Sequence, residues 1–257
     1  MSLTAEEIAT KLTRITTLYA GSHSPNGQHC IMEAVAFVAG EPWSDAPACV
    51  SPVIAAFMRR WNDDLPDDAT RTRLLKPLIL PLVGTKGDDA SEIRRAWMAT
   101  DWLVRSLAPT FLRTVPTLAQ HADALEAIGE IVDAVSASGA QPTIAAAGAA
   151  AGAAAWAAGA AAWAAAGAAA RAAAEDAARA AAEAAARDAA RAAAGAAARA
   201  AEAAAGAAAG AAAWAAAEDA AWAAGAAAWA ALKGPTTKAQ ASAVALVLRM
   251  CAVGKAP

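Results

Sequence analysis

The side chains able to act as nucleophiles or metal ligands gather between His23 and Cys49. His29 and Cys30 are adjacent, Glu33 follows about one helical turn later, and Cys49 stands just before Ser51-Pro52. Thiolate is the reactive form of cysteine, and a helix N-terminus lowers a thiol's pKa. An imidazole beside it completes a Cys–His pair for nucleophilic catalysis. His23, His29, Cys30 and Cys49 also make four potential metal ligands, although their spacing fits no zinc pattern of paired residues. A disulfide between the two cysteines is a third reading, and two small buried hydrophobes a fourth. The structural reading is the one adopted: no catalytic, metal or cofactor site is expected, and His29, Cys30, Glu33 and Cys49 are the candidates should the segment do chemistry. No glycine-rich phosphate loop, Ser-His-Asp order or His-Glu-x-x-His motif occurs elsewhere. The chain is therefore read as a non-enzyme.

The elements that hold this cluster are helical. Thr4-Ala5-Glu6-Glu7 is a capping box that predicts a helix from Ala5 to about Ala20, stopped at Gly21. His29–Ala39 reads as a buried helix ended by Gly40, and Ser51-Pro52 as the cap and first residue of a helix to about Asn62. Asp67 or Asp68 opens the next, limited or kinked by Pro77 and Pro81. Asp88, Asp89 and Ser91 start another that continues to about Leu107. Thr117–Val135 has Leu118, Ala122, Leu125, Ile128 and Val132 at helical spacing and predicts one further helix. No alternating strand pattern is present. Residues 1–143 thus read as an all-α globular domain.

Composition then changes abruptly. From Ala145 to Ala231, 62 of 87 residues are alanine, which no ordinary domain approaches. Apart from Asp176, Asp188 and Asp219, the other residues recur at steps of three or four, and alanine is the best helix former. Residues 144–232 are accordingly a helical module rather than a disordered low-complexity tract. Nine successive steps of four from Trp163 to Arg199 would carry a stripe about once around a straight helix, at roughly 40° of drift per step. A break or hairpin is expected instead of one rod. The segment AAWAAGAAAWAA occurs at 154–165 and again, identically, at 220–231. A fold-back near residues 190–195 would set Trp156 and Trp163 against Trp222 and Trp229, each pair flanking a glycine that lets backbones approach. The module is thus expected as an antiparallel hairpin or multi-helix stack, with these four tryptophans as its interaction residues. Arg171, Glu175, Arg179, Glu183 and Arg187 alternate in sign at i,i+4 and read as a solvated, self-neutralising face. Lys233-Gly234-Pro235 ends the module, and residues 233–257 form a short C-terminal helix packing on the rest.

Charge narrows the partners. With 21 basic and 24 acidic residues the chain has a net charge of −3 and no basic cluster, so nucleic acid is not expected. The N-terminus lacks the apolar core of a signal peptide, and the default is cytoplasmic. Ile144–Ala170 is uncharged and long enough to span a bilayer, but its tryptophans lie mid-segment rather than at the interfaces, so a membrane is not expected.

Two stretches carry a resemblance. His29-Cys30-Ile31-Met32-Glu33-Ala34-Val35-Ala36, and Ala39-Gly40-Glu41-Pro42-Trp43-Ser44-Asp45-Ala46-Pro47-Ala48-Cys49, resemble a block found in hypothetical proteins of actinobacteria and their phages. Leu82–Thr85, Trp102–Arg105, Glu130–Asp133, Gln240–Ala243 and Arg249-Met250 are similar to further blocks of that group. The resemblance implies variable Ala/Trp-rich middles and no assigned activity. The expected function is a non-enzymatic helical scaffold or interaction protein, phage- or defence-associated, with a protein partner or self-association. The alternatives are a small-molecule-binding or thiol-dependent enzyme domain on His29–Cys49, and an ice-binding Ala-rich helix. The last is disfavoured because no threonine lies between Ile144 and Leu232.

Overall fold

A computed structural model describes residues 4–21, 27–189 and 195–254. The protein is all-α, and no strand occurs among the described residues. Helix α1 (Ala5–Arg14) opens on the predicted capping box: Glu7 N–H donates to Thr4 Oγ1 at 3.2 Å, and Thr4 N–H to Glu7 Oε2 at 2.7 Å. It ends at Arg14, not near Ala20. The β-branched run Ile15-Thr16-Thr17 is a poor helix continuation, and the following backbone bonds elsewhere. Leu18 N–H donates to Thr72 Oγ1 and Tyr19 N–H to the His29 carbonyl, while Ile15 and Leu18 enter the core.

Helix α2 (Ile31–Ala39) is buried almost all round and stops at Gly40, whose φ of 75° is the left-handed conformation glycine adopts without strain. Helix α3 (Pro52–Asp64) starts as its Ser51-Pro52 signal predicts, with Ile54 N–H donating to Ser51 Oγ at 3.3 Å. Its C-terminal carbonyls are satisfied by the buried Arg71, which donates to Asn62 O at 2.7 Å and Leu65 O at 2.8 Å. Asp67 caps α4 (Asp68–Leu75) through Thr70 N–H. Pro77 and Pro81 then confine the chain to a tight turn and the short α5 (Ile79–Leu82).

Asp88 caps α6 (Asp89–Trp102), which passes through a widened turn at Leu103–Leu107 into α7 (Ala108–Leu112). Pro109 has no N–H to continue the α-helical ladder, which accounts for the interruption. The single helix expected over Thr117–Val135 is corrected to α8 (Ala119–Glu126) followed by non-helical chain. Ile131 leaves the helical path because its N–H donates to Asp101 Oδ1 at 2.9 Å while its side chain is buried. Asp133 begins a new helix by accepting from Ser136 N–H at 2.7 Å.

Two long helices follow, α9 (Ala134–Ala189) and α10 (Gly195–Ala252). Helix α9 begins before the Ala-rich module, and α10 continues beyond it. Pro142 and Lys233-Gly234-Pro235 lie within helix, so the separate short C-terminal helix is corrected to the last part of α10. The chain divides into two compact units, one of residues 1–147 with 234–257 and one of residues 148–233. The first is therefore built from two distant stretches of sequence. Its main core centres on α2 and includes Ile54, Leu75, Leu82 and Trp102, together with Leu246, Val247 and Met250 of α10. A second cluster joins Val104, Leu125, Ile131, Ala140 and Ala147. The second unit is helical throughout its described residues, and the fold-back expected near residues 190–195 falls on residues 190–194, outside that description.

Candidate functional site

The His29–Cys49 segment is built for structure. Cys30 is the N-cap of α2: its Sγ accepts from Glu33 N–H at 3.5 Å, and the Glu33 carboxylate accepts from Cys30 N–H at 2.7 Å. This is a capping box with a thiol in the usual serine position. Burial pushes the Cys30 thiol up to about 12, and the neighbouring Glu33 carboxylate adds to the rise. A helix N-terminus favours the thiolate, but here desolvation outweighs that effect, in keeping with the structural reading. Cys49 is also raised, first by burial and further by Glu41. Both thiols are thus held protonated, the opposite of an activated nucleophile. The His29 ring lies 4.9 Å from Trp43 and 5.5 Å from Phe37, centre to centre, inside an aromatic group. Cys30, Cys49 and Cys251 are free thiols. Among the described residues no three His, Cys, Asp or Glu side chains are grouped to hold a metal, and His23 lies outside those residues.

The module's tryptophans stand in solvent. Trp156, Trp222 and Trp229 are 83%, 75% and 78% exposed. A Cβ at Gly159 or Gly225 would touch nothing within 4 Å. The expected seating of rings over these glycines within one chain is therefore not what the described residues show. The side chain of Trp163 lies outside them. On α10 the two rings instead line an open groove of about 490 Å³ together with Glu218, Gly225 and neighbouring alanines.

Sequence reasoning missed a larger cavity in the first unit. It measures about 800 Å³ and is lined by Arg94, Trp97 and Asp101 of α6, Glu130 and Ile131 of the non-helical link, and Arg249 near the end of α10. It lies at the seam between the two apolar clusters: Met98 belongs to one, Trp97 and Ile131 to the other. Asp101 is fixed by Arg105, 3.1 Å away, and by Ile131 N–H. Beside it, the buried Arg95 donates to the Met250 carbonyl at 3.1 Å and the Val253 carbonyl at 2.9 Å, and pairs with Glu92 at 2.7 Å. It gives a side-chain donor to carbonyls at and just beyond the end of α10, where the Met250 carbonyl also accepts from Val253 N–H at 3.3 Å. Only the spacing of Arg94, Trp97 and Asp101 along one helix face was available in the sequence as a sign of this site.

No protein-family model, no curated protein and no solved structure matches this chain.

One stretch among the described residues, Ala134–Ala161, is long and apolar enough to cross a membrane by length and composition. Ala140 and Ala147 within it pack in the second apolar cluster of the first unit.

Proposed function

We propose that this protein is a cytoplasmic, non-enzymatic scaffold that self-associates through the tryptophan faces of its Ala-rich arms. The observation that carries the reading is the exposure of Trp156, Trp222 and Trp229 in segments whose other residues are alanine and glycine, with an open groove beside Gly225. A ring left in water forgoes about 1.5–3 kcal/mol of burial, and large aromatic side chains anchor most interfaces. A second copy supplies a matching surface, because AAWAAGAAAWAA stands on both arms and a twofold interface pairs like patches. Six such rings, at about 150–250 Å² each, bury roughly 900–1,500 Å², which reaches the lower part of the about 1,200–2,000 Å² range of stable interfaces. Three free thiols suit a reducing compartment. The raised thiols of Cys30 and Cys49 weigh against the thiol-enzyme alternative.

Sedimentation of the full chain tests this. A dimer or higher oligomer is expected that becomes monomeric when Trp156, Trp222 and Trp229 are all changed to Ala, with helicity retained. A monomeric wild type at about 100 μM, where even contacts of roughly −5.5 kcal/mol would be half-formed, sinks the reading. So does an oligomer that the triple variant leaves intact.

A further inference from the structure

We infer that the seam cavity of the first unit is a binding site for a small organic carboxylate with a flat apolar body. The cavity's volume, about 800 Å³, lies within the range of about 300–1,000 Å³ typical of small-molecule sites. Its polar groups divide into those already engaged and those left over. Asp101 is held by Arg105 and by Ile131 N–H. The Met250 and Val253 carbonyls, which as a helix end would repel an anion, are taken up by Arg95. Arg94, Arg249 and Glu130 remain, none with a hydrogen-bond or ion-pair partner among the described residues. Two guanidiniums and one carboxylate leave a net charge of +1, which matches a monoanion better than a dianion.

The geometry of guanidinium donors suits a carboxylate, which takes charge-assisted bonds from a planar fork. Trp97 and Ile131 offer an indole and a branched apolar wall to the rest of the ligand. Glu130 acts as a filter: it weakens binding of multiply charged anions and admits a ligand carrying one negative group. None of this involves the module's tryptophans, so the site stands or falls apart from self-association.

Calorimetric titration of the full chain with naphthalene-2-carboxylate, and with the uncharged naphthalene-2-carboxamide, tests the site. The carboxylate is expected to bind at least tenfold more tightly than the amide. Arg94→Gln and Arg249→Gln should each cost tenfold or more with the fold intact, as circular dichroism will check, because both side chains are exposed and have no partner among the described residues. Glu130→Gln should tighten binding, and Trp222→Ala with Trp229→Ala should leave it unchanged. Equal affinity for carboxylate and amide overturns the inference, as does unaltered affinity in the double arginine variant. No binding at about 1 mM, the threshold for roughly −4 kcal/mol, overturns it too.

Discussion

Cys30 shows how one side chain can read as chemistry in sequence and serve as structure in the fold. Its thiol belongs to a helix cap, and its proton is held there by desolvation against an ordinary value of 9.0. The folded state therefore binds that proton more tightly than the unfolded chain. Its contribution to stability is complete below pH 9 and is lost as pH rises from 9 toward about 12. Urea midpoints measured between pH 8 and 10.5 should fall with pH, and the fall should be shallower in Cys30→Ala. Parallel curves for the two proteins would show that the thiol is as easily ionised folded as unfolded. The residues of the seam cavity present the reverse case. Arg94, Glu130 and Arg249 look like ordinary surface charges in sequence, because what makes them a site is the meeting of three segments far apart in the chain.

At the scale of elements, the local signals held wherever a backbone bond could be closed by a near neighbour. Thr4, Ser51, Asp67 and Asp88 each cap the helix that follows, and Gly40 ends α2. Expectations failed where distant partners took the backbone. Leu18 and Tyr19 bond to Thr72 and His29 instead of extending α1, and Ile131 bonds to Asp101 instead of extending α8. Residue spacing contains no record of such partners. The opposite failure occurs in α10, where Gly234-Pro235 reads as a stop yet lies inside helix, flanked by alanine-rich turns and by a segment anchored in the core. Proline there lacks a donor and crowds the preceding turn. Gly234 eases this crowding: the ring presses on the Cβ of a preceding residue held in helix, and glycine has none. Pro235→Ala should therefore stabilise the protein by about 1–3 kcal/mol, because it restores an N–H and removes the ring. Chemical denaturation will show this; unchanged or lowered stability would mean that the proline serves a bend the helix requires.

For the whole molecule, the decisive feature is the split composition of the first unit. Leu246, Val247 and Met250 are fully buried in the same core cluster as the residues of α2, and Trp102 donates from Nε1 to Ser242 Oγ at 3.0 Å. Each large apolar side chain contributes about 1.5–3 kcal/mol on burial, so removing three of them costs about 4.5–9 kcal/mol, comparable with a typical margin of about 5–15 kcal/mol. A chain cut after Lys233 should lose its near-ultraviolet circular dichroism and its cooperative urea transition. Retention of a sharp transition would mean that residues 1–147 fold without α10. The arrangement also sets a clock on biosynthesis. The core's first share leaves the ribosome before the module, and its last share only after it. At about 5–20 residues per second, the roughly 90 intervening residues impose a delay on the order of 10 s. Throughout that interval Ile54, Leu82 and Trp102 lack their final cover, and transiently exposed apolar surface of this kind is what makes a growing chain prone to aggregate.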